Sequence, residues 1–128
     1  MSNANDAYSE IEISTDVLTA SSHRLIQLMF EKCAQHIELS KTYILVNDIP
    51  KKLHSISKAM DILEYLRMCL NHQDEKASEL SSLLDSLYAY LQKNLVQANA
   101  NNDIQCLDEA KKILTELKSG WDGIGESA

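Results

Sequence analysis

Apolar residues recur along most of the chain at steps of three and four, the spacing of one face of an α-helix. Polar breaks at residues 47–50, 71–77 and 98–102 divide this pattern into four stripes. The stripes predict four helices of roughly 20–26 residues, each about 30–39 Å long at 1.5 Å per residue. Because the connections are short, we predict an all-α, antiparallel up-down-up-down four-helix bundle.

Helix starts and core residues follow from the same pattern. Ser21 or Ser22 should cap helix one, and Asp48 should cap helix two. Asn102 with Gln105 has the spacing of a capping box before helix four. The apolar stripes predict a core made of Leu25, Ile26, Met29, Phe30, Cys33, Ile37 and Ile44 from helix one, Leu53, Ile56, Met60, Leu63, Leu66 and Leu70 from helix two, Leu80, Leu84, Leu87, Leu91, Leu95 and Ala98 from helix three, and Ile104, Leu107, Ala110, Leu114, Leu117 and Trp121 from helix four.

Residues 1–20 do not continue the helical pattern. They are acidic and sparse in apolar side chains. We expect them to form an arm or a short helix packed on the bundle, and residues 21–128 to form a single domain. A chain of 128 residues is the usual size of one domain.

Composition narrows the function classes. The whole chain contains only 3 Gly and 1 Pro, which disfavours a turn-rich β fold. The net charge of -7 disfavours binding to nucleic acid. Three cysteines in apolar runs favour free thiols in a reducing compartment. With no apolar run of the ~18 residues needed for a membrane span and no signal-peptide pattern, we expect a cytoplasmic protein without membrane insertion.

The sequence lacks the motifs that catalytic and metal sites in helical bundles require. No Glu-x-x-His pair is present, so a di-metal centre of the ferritin type is excluded. Cys33 with His36 and Cys69 with His72 look like two halves of a zinc site, but antiparallel helices would offset them by roughly 12 Å. Nucleophilic triads and phosphate-binding loops are also absent. We therefore predict no enzyme activity, no metal and no cofactor.

Helices two and three carry more apolar side chains than one core stripe needs. These extra residues predict apolar grooves on the outside of the bundle, which would suit a partner helix. The alternative is that neighbouring helices or the arm shade them. The extra side chains are Ile62, Tyr65 and Cys69 on a second face of helix two, with Leu83, Tyr88 and Tyr90 flanking the stripe of helix three.

Several short motifs, in order along nearly the whole chain, are shared with a known family. Residues 19–26 read TASSHRLI, residues 87–91 read LYAYL, and residues 107–109 read LDE before Trp121. In these motifs the chain resembles the FliS family of flagellin export chaperones. It departs from the family pattern at Ser22, where a proline is usual, at residues 76–78, which replace a Gly-Gly pair, and at residues 92–94, which are less basic than usual.

The resemblance implies a cytosolic, non-enzymatic chaperone that binds the disordered C-terminal segment of flagellin. It would prevent premature polymerisation and deliver flagellin to the flagellar type III export gate, and an anti-sigma factor or a co-chaperone could be a further partner. A histidine phosphotransfer bundle and a chaperone for another flagellar client remain alternatives, although the His-x-x-Lys-Gly pattern of the former is missing. The expected flagellin-binding residues are Tyr8 and Ile11 in the arm, with Ile62, Tyr65, Leu66, Cys69, Leu83, Tyr88 and Tyr90 in the bundle.

Overall fold

The computed structural model describes residues 22–70 and 78–124, which form four helices. These are α1 (Ser22–Leu45), α2 (Ile49–Met68), α3 (Ser78–Asn101) and α4 (Ile104–Ile124). The prediction of four helices is confirmed. The predicted arm, with Tyr8 and Ile11, lies outside the described residues. None of these four helices combines the length and apolarity that crossing a membrane would require.

The helices pack as a ring. α1 contacts α2 and α4, and α3 contacts the same two helices from the other side. This arrangement confirms the all-α four-helix bundle. Complete burial of a leucine or isoleucine contributes about 1.5–3 kcal/mol, so the interior of this ring holds the bundle together. The largest sealed side chains are Met29 and Ile37 of α1, Ile62, Leu63 and Leu66 of α2, Leu91 and Leu95 of α3, and Leu107 and Leu114 of α4.

The start of α2 was predicted correctly, but the start of α4 was not. The Asp48 carboxylate accepts a hydrogen bond of 3.2 Å from the backbone N–H of Lys51. At α4 the cap is Asp103, whose carboxylate accepts from the N–H groups of Gln105 at 3.0 Å and Cys106 at 3.3 Å. Asn102 has a φ of 51° and ends α3 in the left-handed region, where a residue cannot act as an N-cap. The predicted Asn102–Gln105 capping box is therefore wrong.

The buried face of α2 is rotated relative to the predicted stripe. Leu53, predicted as core, is 52% exposed, whereas Ile62, predicted on an outer face, is 1% exposed. α2 lies between α1 and α3, so it buries a wide arc centred near Ala59 and Leu63. Ile62 follows Ala59 by three residues and precedes Leu66 by four, which places it within that arc. The outer-face placement of Ile62 is wrong.

Polar contacts join α1 to α4 along the length of their seam. Glu38 accepts from Lys111 at 3.1 Å, and Lys41 donates to Asp108 at 3.0 Å. Near the other end, the amide of Gln27 donates to Asp122 at 2.6 Å. Such exposed contacts contribute little stability individually, but together they fix the register of the two helices.

A second group of polar contacts joins α2 to α3. The Arg67 guanidinium donates two hydrogen bonds to the Asp85 carboxylate, at 2.8 and 3.3 Å. At the opposite end of α2, the buried Lys52 ammonium donates to the Asn99 carbonyl at 2.9 Å and to the Asn102 side chain at 2.6 Å. Lys52 therefore anchors the α3–α4 turn to α2.

Candidate functional site

An apolar groove of about 600 Å³ opens at one end of the bundle. It lies among the first turns of α1, the end of α2, the first half of α3 and the second half of α4. Its volume is within the range of about 300–1,000 Å³ that is typical of ligand sites. The lining residues are Ile26, Phe30, Leu66, Cys69, Leu70, Leu80, Leu84, Leu87, Tyr88, Ile113, Glu116, Leu117, Gly120, Trp121 and Ile124.

The dimensions of the groove suit a short helix. On α3 the lining extends from Leu80 to Tyr88, about 12 Å at 1.5 Å per residue. On α4 it extends from Ile113 to Ile124, about 17 Å on the same basis. This length corresponds to two or three helical turns. Grooves of this kind commonly hold the apolar face of a partner helix.

The chemistry of the lining favours binding over catalysis. Glu116 is its one charged residue, and it contains no histidine, serine or lysine. Burial raises the pKa of the Cys69 thiol, and more strongly that of the Cys33 thiol in the core, so neither is an activated thiolate of the kind that catalysis requires. Across residues 22–70 and 78–124, no three His, Cys, Asp or Glu side chains come together as a metal site would require.

Trp121 closes one end of the groove and is the only tryptophan in the chain. Its ring stacks on His23 with 4.8 Å between centroids and 14° between planes. Its indole N–H also donates to the His23 carbonyl at 2.9 Å. The last turns of α4 are therefore attached to the first turn of α1 at the groove itself.

Three of the predicted binding residues meet in the groove. Leu66, Cys69 and Tyr88 all line it, and they come from α2 and α3. Leu66 and Tyr88 are buried in its floor, whereas Cys69 is exposed. Burial raises the pKa of Tyr88 to about 12, so its hydroxyl remains neutral. Residues from two helices that are distant in sequence thus share one surface.

The other predicted residues within the bundle lie outside the lining. Leu83 and Tyr90 are exposed on α3, and Tyr65 is half-buried on α2. Ile62 is sealed in the core and is not available to a partner of the folded bundle. These four residues do not form a common site with the other three in this structure.

The sequence pattern missed most of the groove because it assigned those residues to the core. Ile26, Leu84 and Leu117 belong to the predicted stripes, yet they are only half-buried here. Leu80, also predicted as core, is exposed. One local signal was available at Gly120 in α4, which lines the groove and has no other atom within 4 Å of the position that a Cβ would occupy.

This fold and lining define an all-α bundle protein with an apolar groove at one end. A family model described as flagellar protein FliS matches residues 3–128. The chain is 39% identical over 117 residues to flagellar secretion chaperone FliSB of Pseudomonas aeruginosa, covering 91% of both chains. It is 32% identical over 118 residues to flagellar secretion chaperone FliS of Vibrio cholerae, covering 92% of this chain and 85% of that one. The Salmonella typhimurium FliS is 29% identical over 123 residues, with 95% and 90% covered.

The chain therefore belongs to the FliS family of flagellar secretion chaperones, whose role is non-enzymatic. The resemblance that the short motifs indicated is confirmed. The match extends across both the described helices and residues 3–21, so it includes the segment predicted as the arm.

Proposed function

We propose that this protein is a cytoplasmic export chaperone for flagellin with no catalytic step and no cofactor. It binds the disordered C-terminal segment of flagellin, prevents premature polymerisation and delivers the subunit to the flagellar type III export gate. The observation that carries the proposal is the apolar groove at one end of the bundle, since a non-enzymatic member of this family needs a surface for its client.

The energetics of the groove fit a reversible client. A helix of two or three turns would bury three or four apolar side chains, a gain of about 5–10 kcal/mol. Ordering a disordered segment costs about 2–5 kcal/mol or more. The net gain corresponds to a Kd of about micromolar or weaker for this groove alone. Such a complex can form in the cell and still be dissociated at the export machinery.

We propose different roles for the predicted binding residues. Leu66, Cys69 and Tyr88 contact the client from the floor and wall of the groove because they line it. Leu83 and Tyr90 are exposed on α3 and extend the contact beyond the lining. Tyr65 contacts a part of the client that leaves the groove along α2.

The arm at residues 1–20 is proposed to cover part of the client surface through Tyr8 and Ile11 and to move when flagellin binds. Deletion of residues 1–18 should therefore change the affinity for flagellin much more than the thermal stability of the bundle. Equal effects on both would contradict this role for the arm.

Two substitutions of an exposed apolar residue of α3 by glutamate give a matched test. Leu80 lines the groove and Val96 does not, yet each side chain is 57% exposed. Leu80→Glu should weaken binding of the C-terminal 40–60 residues of flagellin, about tenfold or more, because a carboxylate would have to be desolvated there. Val96→Glu should leave binding unchanged. Isothermal titration calorimetry provides both affinities, and circular dichroism verifies that both variants are folded.

Two results would contradict the proposal. One is that the wild-type chain shows no binding to the flagellin segment at micromolar concentrations. The other is that Leu80→Glu and Val96→Glu bind it equally well. The C-terminal segment of a filament-cap protein should be titrated in parallel, since tighter binding of that segment would identify the alternative client.

A further inference from the structure

The seam between α3 and α4 changes character at Tyr90. On one side of this position, Leu87 of α3 and Ile113 of α4 line the open groove and are only half-buried. On the other side, Leu91 and Leu95 of the same α3 stripe are completely sealed, and no α4 residue before Ile113 lines the groove. The groove therefore ends at a defined point along two helices that otherwise continue side by side.

A hydrogen bond crosses the seam at this boundary. The Tyr90 hydroxyl donates to the Glu109 carboxylate at 2.7 Å. This bond raises the pKa of Tyr90, so its hydroxyl is a proton donor at all physiological pH values. Tyr90 is exposed, so water can compete for both partners and the bond is weak enough to break reversibly.

The sealed side of the boundary contains an unsatisfied amide. Asn94 is 7% exposed, and its Nδ2 has no hydrogen-bond partner among the described residues. The Asn94 side chain lies beside the Tyr90 hydroxyl and partly opposes the rise in the tyrosine pKa that Glu109 causes. A buried donor without a partner is destabilising, because its hydrogen bonds to water are not replaced in the folded chain. Opening the seam as far as Asn94 would hydrate this amide and recover that free energy.

Ion pairs join the helices at the two neighbouring seams, α1–α4 and α2–α3. The α1–α4 seam carries the Glu38–Lys111 ion pair, and the α2–α3 seam carries the two-pronged contact between Arg67 and Asp85. Arg67 and Asp85 lie next to the lining residues Leu66 and Leu84, whereas the Glu38–Lys111 pair contains no residue of the lining. At the α3–α4 seam, by contrast, the Tyr90–Glu109 contact lies where the lining of the groove ends.

We propose that the Tyr90–Glu109 hydrogen bond is a latch that ends the groove, and that its release lets α3 and α4 part as far as Asn94. The groove would lengthen by four residues, about 6 Å or one helical turn. A client helix longer than the resting groove could then be seated completely. The role for a client rests on the function proposed above, whereas the latch itself is a property of the free chain.

Hydrogen exchange of the free chain, followed by mass spectrometry, tests the latch without a client. Tyr90→Phe and Glu109→Ala remove the hydrogen bond, and both should speed exchange of amides in residues 88–98 and 106–113 about threefold or more. Glu109→Gln keeps an acceptor and should restore slow exchange. Tyr43→Phe, on α1, is the matched control and should have no effect in these segments. Asn94→Leu removes the unsatisfied amide and should slow exchange there.

Loss of the hydrogen bond should speed exchange and loss of the Asn94 amide should slow it, so a general loss of stability cannot account for both results. Unchanged exchange in both Tyr90→Phe and Glu109→Ala would overturn the proposal, and so would faster exchange in Asn94→Leu. Glu109 is exposed, so Glu109→Ala remains informative if Tyr90→Phe folds poorly. Because no client is present, failure of the latch is distinguishable from failure of the flagellin proposal.

Discussion

Two leucines one turn apart on α3 should respond very differently to truncation. Leu91 is completely buried in the core, whereas Leu87 is half-buried and lines the groove. Leu91→Ala leaves a cavity in the sealed core and should lower the free energy of unfolding by about 3 kcal/mol, within a usual range of about 2–5. Leu87→Ala creates no closed cavity, so only its partial transfer free energy is lost, about 1 kcal/mol.

Urea denaturation followed by circular dichroism at 222 nm measures both losses. With an m-value of about 2 kcal/mol/M, the midpoint should fall by about 1.5 M for Leu91→Ala and about 0.5 M for Leu87→Ala. The affinity for the flagellin segment should be affected in the reverse order, with the larger loss in Leu87→Ala. Leu87→Ala should weaken the complex with the flagellin segment by about tenfold, since leucine packing against the client is lost. Leu91→Ala should leave the affinity nearly unchanged under conditions in which it is folded.

Equal losses of stability in the two variants would refute this reasoning, because they would mean that the groove is closed in solution. A larger loss in Leu87→Ala would do so more strongly. A change in m-value in either variant would indicate a change in the unfolded or native ensemble and would require the comparison to be made by thermal unfolding.

Three further predictions concern single side chains. Lys52→Met removes the two hydrogen bonds that anchor the α3–α4 turn and should lower the free energy of unfolding by about 1–3 kcal/mol in urea titrations. Lys51 is exposed and adjacent to Lys52, so Lys51→Met should change the free energy of unfolding by less than about 0.5 kcal/mol. Hydrogen bonds from a lysine ammonium and from Gln27 lower the pKa of Asp122, so its stabilising contribution is present above the ordinary aspartate pKa and is lost as the pH falls through the lowered folded value. An NMR titration of that carboxyl should show its midpoint below the ordinary value, and an ordinary or raised midpoint would contradict the contacts seen here. Cys69 should react with iodoacetamide in the folded chain and be protected by the flagellin segment, whereas buried Cys33 should react only after unfolding; modification of both at equal rates would contradict the assigned burial.

Only part of the groove could be predicted from the sequence, because a stripe of apolar residues does not show which of its members are sealed and which line an open surface. Leu87 and Leu91 occupy the same stripe and are indistinguishable by periodicity, yet one lines the groove and the other is sealed. The same limit explains why Leu53 of α2, predicted as core, is exposed, while Ile62, predicted on an outer face, is buried. A helical wheel gives directions around one axis, but burial also depends on where the neighbouring axes lie.

Local chemistry determined much of this protein before any packing was known. Apolar periodicity and the polar breaks specified four helices, and the Asp48 carboxylate determined the start of α2, because each of these depends on residues within a few positions of one another. The family could also be recognised from short motifs in order along the chain. The tertiary structure alone decided that the apolar stripes stop meeting at one end of the bundle, which brings Phe30, Leu84 and Trp121 to a common surface. The physical reason is that the distance between two helices is set by all the side chains packed between them, and no stripe on one helix contains that information.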